Sequence, residues 1–142
     1  MAIDQALCTS FKREVLEGVH DFTTHTFKIA LYTSAASLGA ATTAYTATEE
    51  VVGTGYTATG AALTVTGAAV SVSGATVYID FGDVMWTTST LTARGALIYN
   101  DTAAGDPAVA VLDFGIDRSS TAASFVVSFP TATASSAIVR LV

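Results

Sequence analysis

The side chains able to do chemistry are few and scattered along the 142 residues. Two histidines, His20 and His25, stand five positions apart. Zinc ligands on a helix share a face when they are four apart, as in HExxH, so this spacing matches no such site. At the junction expected between a helix and a strand, the pair should be solvated or capping. Carboxylates pair at Glu49/Glu50, Asp80/Asp83 and Asp113/Asp117. Paired acids can hydrolyse glycosides or bind calcium. A calcium loop places oxygens at alternate positions, as in DxDxDG, and none of these clusters does; they read as solvated loop edges. No GxSxG elbow is present to expose a serine nucleophile at a strained turn. Gly53-Thr54-Gly55-Tyr56 resembles the start of a dinucleotide fingerprint, but the third glycine is misplaced at Gly60 and strand rather than helix follows. Without a helix N-terminus no dipole holds a pyrophosphate, so the run reads as a turn needing positive φ. Trp86 could stack on a sugar, yet a lone Trp in VMWTT reads as core or interface. Cys8, the single cysteine, leaves no internal disulfide and no cysteine-based metal site. It reads as a buried packing residue with no evident activating partner. The expectation is a protein that is not an enzyme, with no cofactor and no metal.

The elements that must position these groups are mostly strands. Residues 3–18 read as the only good helix. Leu7, Phe11 and Val15 recur at i, i+4 and i+8 with Leu16 beside them, Gln5, Lys12, Glu14 and Glu17 take the other faces, and Gly18 is the stop. After residue 25 the chain reads as strand and turn. At 26–32, Phe27, Ile29 and Leu31 alternate with Lys28, Ala30 and Tyr32, the two-residue period of a half-buried strand. Val77, Ile79 and Phe81 repeat this at 76–81, and Phe125, Val127 and Phe129 at 124–129. Further strands are expected at 84–88, 93–99, 107–114 and 136–142, rich in β-branched and aromatic residues. Pro107 and Pro130 fall at run edges, where a missing amide donor costs least. Residues 34–60 read as a long connection that holds one irregular strand. A connection of this length is usually functional or packed on a partner. Gly60-Ala61-Ala62-Leu63, Gly67-Ala68-Ala69-Val70 and Gly74-Ala75-Thr76-Val77 recur every seven residues, each opening an alternating run. A tight β-meander with glycine turns accounts for them. The fold class is therefore mainly β: a single domain over 1–142, a β-sandwich or jelly-roll-like body with one N-terminal amphipathic helix.

Composition narrows the class further. Of the residues, 51% are apolar and 13% charged, with a mean hydropathy of +0.53, which is far from the polar, highly charged make-up of a disordered chain. Twelve acids against six bases leave −6, the wrong sign for contacting phosphates, so no nucleic-acid partner is expected. Thr, Ser and Gly interrupt every apolar run before the ~18 residues of a membrane span. Nothing at the N-terminus has the basic start and apolar stretch of a signal peptide. A globule of 14.5 kDa should expose roughly 6,900 Å². With so few charges to cover it, much of that surface must be Ala, Thr, Ser and Gly, a first hint that other subunits cover part of it.

The pattern Phe11-Lys12…Leu16…Gly18…His20-Asp21-Phe22, followed by Thr26-Phe27-Lys28-Ile29-Ala30-Leu31-Tyr32, resembles a family of small proteins encoded in the virion-structure modules of tailed bacteriophages. Thr42-Thr43-Ala44-Tyr45, Glu50-Val51-Val52-Gly53-Thr54-Gly55-Tyr56 and Ala93-Arg94-Gly95-Ala96-Leu97-Ile98-Tyr99-Asn100-Asp101 fit the same pattern, so the likeness covers about residues 11–101. The resemblance implies a capsid decoration (cement) protein, found in the virion and assembled in the host cytoplasm. Its partners would be the major capsid protein and itself, as a trimer or dimer. It carries over no catalytic residues. Leu7, Phe11, Val15 and Trp86 are the candidate interface residues, with the helix either anchoring to a partner or closing the β core. Other virion roles (tail tube, tail terminator, head–tail adaptor) and a carbohydrate-binding module remain the alternatives.

Overall fold

The computed structural model describes residues 2–142, apart from the side chains of residues 66–69. Its longest feature is a hairpin of β6 (Val84–Asn100) and β7 (Ala108–Val127), paired antiparallel from Tyr99 opposite Ala108 to Val84 opposite Val127. The proximal end of this hairpin is the centre of a five-stranded sheet. Strand β2 (Phe27–Tyr32) adds to β6 at residues 95–100, β3 (Ala61–Ala62) adds to β2, and β1 (Ala6–Leu7) adds to β7, in the order β1-β7-β6-β2-β3. A second, three-stranded sheet has the order β4-β5-β8, from Val65–Ser73, Thr76–Phe81 and Val139–Leu141. All named pairings are antiparallel. The fold is thus a mainly β, sandwich-like domain with one N-terminal helix, α1 (Thr9–Leu16). Its connectivity is built from hairpins rather than from the paired Greek keys of a jelly roll.

The five-stranded sheet is covered on both faces, which is why its central strands are buried without alternation. Phe27 and Asn100, directly opposite each other, share one face with α1 and the connection behind it: the ring centroid of His20 lies 4.8 Å from Phe11 and 6.1 Å from Phe27. Phe22 stacks on Phe27 at 4.3 Å and also reaches Phe81 of β5 at 6.2 Å, so this small aromatic cluster joins the two sheets. Tyr32 and Tyr99 point to the opposite face and meet the long connection, where Tyr45 lies 4.9 Å from Tyr99. The chain exposes 7040 Å², close to the ~6,900 Å² of a compact globule of this mass, so the hairpin does not project as a free arm.

Four expectations from the sequence change. The helix is not 3–18 but Thr9–Leu16. Ala6 and Leu7 extend instead to pair with Val111 and Ala110, and Ile3 bridges Leu38 and packs on Gly95. A short helix is marginal alone, and an open strand edge in β7 offers these residues a better hydrogen-bond partner. The runs at 84–88 and 93–99 form one strand, as do those at 107–114 and 124–129. Register shifts at Trp86/Ser89, Ser89/Leu91 and Ala93/Gly95 carry the pairing through the polar stretches, and Thr88 and Ala122 take positive φ there. The connection at 34–60 contains no strand but is pinned by four isolated bridges, at Leu38, Ala44, Glu50 and Thr54. Of the three Gly-Ala repeats, those at Gly60 and Gly74 turn the chain with positive φ. The middle one lies inside β4, where Gly67 opens no turn and the side chains at 66–69 fall outside the described residues.

Candidate functional site

The histidine pair is buried deeper than its sequence position suggests. The His20 side chain is fully enclosed rather than solvated. Its Nδ1 and that of His25 both contact the side-chain amide of Asn100, at 3.1 and 2.9 Å. Burial pulls the His20 pKa below its usual value, against the opposing pull of the nearby Glu14 carboxylate. Asp21 caps its own turn, and the Thr23 and Thr24 hydroxyls hold its carboxyl down at about 2.

The acid pairs separate into individual structural roles. Glu50 is buried, not a solvated loop edge. It accepts hydrogen bonds from the Tyr45 and Tyr56 hydroxyls, at 2.5 and 2.7 Å, and from the Thr59 backbone N–H at 2.8 Å. Tyr99 donates to the Thr59 carbonyl and Tyr32 to that of Thr46. Desolvation, reinforced by the Glu50 carboxylate, raises the phenols of Tyr32 and Tyr56 and takes Tyr45 up to about 12. The four phenols keep their protons, so the cluster works as a clasp that holds the long connection on the sheet. It explains the strained φ of +79° at Thr59, held from both sides. Asp83 accepts from the Phe129 N–H, Asp113 from the Gly115 N–H, and Asp117 pairs with Arg94 at 2.8 Å. Gly53 and Gly55 are fitted against β6: a side chain at Gly53 would lie 2.5 Å from the Thr90 carbonyl. Gly55 also has the positive φ expected, +80°. Cys8 is fully buried, and desolvation lifts its thiol to about 11. Among the described residues, no three His, Cys, Asp or Glu side chains gather in a group that could hold a metal.

Of the four candidate interface residues, only Phe11 and Val15 come together. Phe11 is 1% exposed and belongs to the core; Val15 lines, with Phe11, Phe22, Ile79 and Val139, a small apolar cleft of about 170 Å³ between α1 and the three-stranded sheet. Leu7 is half-buried in β1. Trp86 is 6% exposed, 5.8 Å from the Tyr56 ring and 6.2 Å from that of its cross-strand partner Phe125, and so turns no free face to a sugar or a partner.

The surface that is free lies elsewhere. Stretches 51–79, 84–93 and 119–139 contain no Asp, Glu, Lys or Arg. The fold brings them into one region: β4 and β5 form the second sheet with β8, and residues 84–93 pair with 119–127 in the distal half of the hairpin. Thr54 bridges Thr90 between them. Val52, Val70, Val72, Met85 and Val126 are exposed there, and Leu141 at its edge in β8. Strand β4 is an edge strand, and β7 continues past its short pairing with β1 into a shallow concavity of about 430 Å³ at Phe114, Arg118, Ser124 and Val126. The signal was present in the spacing of charges along the chain. Reading residue by residue for chemistry passes over it, because it consists of what those stretches lack. No family model, no curated protein and no solved structure matches this chain.

Proposed function

We propose that this chain is a non-enzymatic structural protein of a tailed-phage virion, a capsid decoration protein that binds the outer shell and bridges major capsid subunits. The observation that carries the reading is the charge-poor region with its exposed valines and the edge strand β4. Edge strands of free-standing proteins are commonly protected by lysine, proline or short length. The nine-residue β4 has neither lysine nor proline and is not short; its pairing shifts register between Val65 and Val70. A surface of this kind suits permanent cover by neighbouring subunits, through strand addition and apolar contact rather than charge. The motif resemblance over residues 11–101 supplies the virion context. The charged residues then lie on the faces turned to solvent, and a net charge of −6 is no handicap on the outside of a shell.

Cryo-electron microscopy of virions containing the protein tests this. The expected result is density on the outer shell between major capsid subunits, with residues 65–79 and 84–93 at the contact. Density confined to the tail would overturn the decoration role in favour of a tail-tube, terminator or adaptor protein.

A further inference from the structure

Asn100, fully buried at the end of β6, has every hydrogen-bonding position committed. Its Oδ1 accepts from the backbone N–H groups of Thr102 and Ala103, at 3.0 and 3.1 Å. Its amide nitrogen must therefore face the other way, towards Nδ1 of His20 and Nδ1 of His25. An amide nitrogen carries two hydrogens and accepts nothing. Both imidazole Nδ1 atoms must then be acceptors, which fixes each neutral ring as the Nε2–H tautomer. The Asp21 backbone N–H leans on the same His25 Nδ1, at 3.4 Å, and needs the same tautomer.

An imidazolium has a hydrogen on both nitrogens. Charging either ring sets an N–H against the amide hydrogens of Asn100. The amide cannot turn over in response, because its oxygen holds Thr102 and Ala103. The groups facing the pair are few, and from the second sheet Tyr78 and Arg140 line the same cleft as His20. Glu14 of α1 lies 3.6 Å from His20 Nε2, too far for a hydrogen bond, and both atoms lack a partner among the described residues. Asp21 sits beside His25 with its carboxylate taken up by Thr23 and Thr24. Asp101, next to Asn100, is paired with Lys28 of β2. Phe11 and Phe27 flank the His20 ring and shield it from water. Glu14 favours the charged form of His20, against burial as the largest cause, and the net direction for that ring is downward; the Asp21 carboxylate favours the charged form of His25.

We propose that Asn100, His20 and His25 form a proton-operated latch: neutral imidazoles hold the connection at 17–26 against the turn at 101–103, and protonation releases it. Phe22 rides on that connection, stacked on Phe27 of one sheet and touching Phe81 of the other. Opening the latch therefore loosens the joint between the two sheets. The direction follows from proton linkage. A buried base that binds its proton more weakly when folded stabilises the fold fully above its unfolded pKa, near 6.5, and that stability is lost as the pH falls below it.

Ring-labelled histidine NMR on the full chain tests the latch, together with amide exchange corrected for intrinsic rates. At pH 7.5 both rings should be Nε2–H tautomers. Between pH 7.5 and 5.5, protection at residues 20–26 and 101–103 should fall roughly tenfold for each unit of pH through which a ring resists protonation. Protection at the far end of the hairpin, at 84–86 and 125–127, should hold. Asn100→Asp presents an acceptor to each ring, so a charged ring no longer meets amide hydrogens and the loss of protection at pH 5.5 should disappear. His25→Gln offers an acceptor at every pH and should shrink the loss, which keeps the test available if Asn100→Asp fails to fold. An Nδ1–H tautomer for either ring at pH 7.5 overturns the proposal. So does unchanged protection at a pH where both rings are charged.

Discussion

The two sheets of this chain handle their surfaces in opposite ways. The five-stranded sheet is enclosed: α1 and the connection behind it cover one face, and the long connection, fastened by Glu50 and its tyrosines, covers the other. Most of the charged residues sit on or around it. The three-stranded sheet and the distal half of the hairpin have an edge strand without a charge, valines in solvent and pairing interrupted by bulges. The first region is finished within the monomer. The second leaves apolar side chains and a strand edge in solvent, with few charges among them.

If the enclosed region is the more exacting one, its substitutions should cost most. Gly60→Ala places a methyl group 1.9 Å from the Ile29 carbonyl at a φ of +82°, and should destabilise by roughly 4 kcal/mol in urea unfolding. Gly74→Ala, in the β4–β5 turn, meets nothing within 4 Å and should cost only about 1 kcal/mol, from its positive φ. Equal costs would erase the contrast. Glu50→Ala strands two phenols and the Thr59 N–H beneath the connection and should cost roughly 3 kcal/mol. The smallest effect on stability and the largest on assembly should come from Val72→Lys, at a residue 69% exposed on β4. It should change stability by no more than ~0.5 kcal/mol and abolish binding to the shell in co-sedimentation. Leu16→Lys on α1, also highly exposed, should leave binding intact. Loss of binding with Leu16→Lys alone would move the interface to the helix.

Much of this architecture was legible where pattern and packing agree. Val77, Ile79 and Phe81 alternate in the sequence, and Ile79 and Phe81 are buried in β5. Strand and turn after residue 25, a long connection and a mainly β body all follow from period and turn residues. The helix was overestimated because Ile3 and Leu7 keep helical spacing, yet gain more as extended residues on the edge of β7 and against Gly95. The hairpin was cut in two because Thr87–Thr90 and residues 115–123 are polar, and only tertiary pairing with bulges keeps them in strand. The roles of Glu50 and Asn100 could not be read. Glu50 is buried only because the connection folds back over its own tyrosines, and the histidines that Asn100 holds are 75 and 80 residues away in the chain. Of the candidate interface residues, Phe11 from the helix face and Trp86 from VMWTT are core, while the free surface is made of valines and hydroxyls.

The continuous β6–β7 hairpin also sets an order of assembly for the chain itself. Its strands meet across the short turn at 101–107, so its pairing can close residue by residue from that turn with little entropy lost per step. The additions of β1 and β2 join it to segments far upstream and must wait for a template on which to register. Asn100 stands at the mouth of that turn, organising Thr102 and Ala103. The residue that later holds the histidines is thus placed where the ladder starts, and the first turn to form prepares the site on which the N-terminal segment docks.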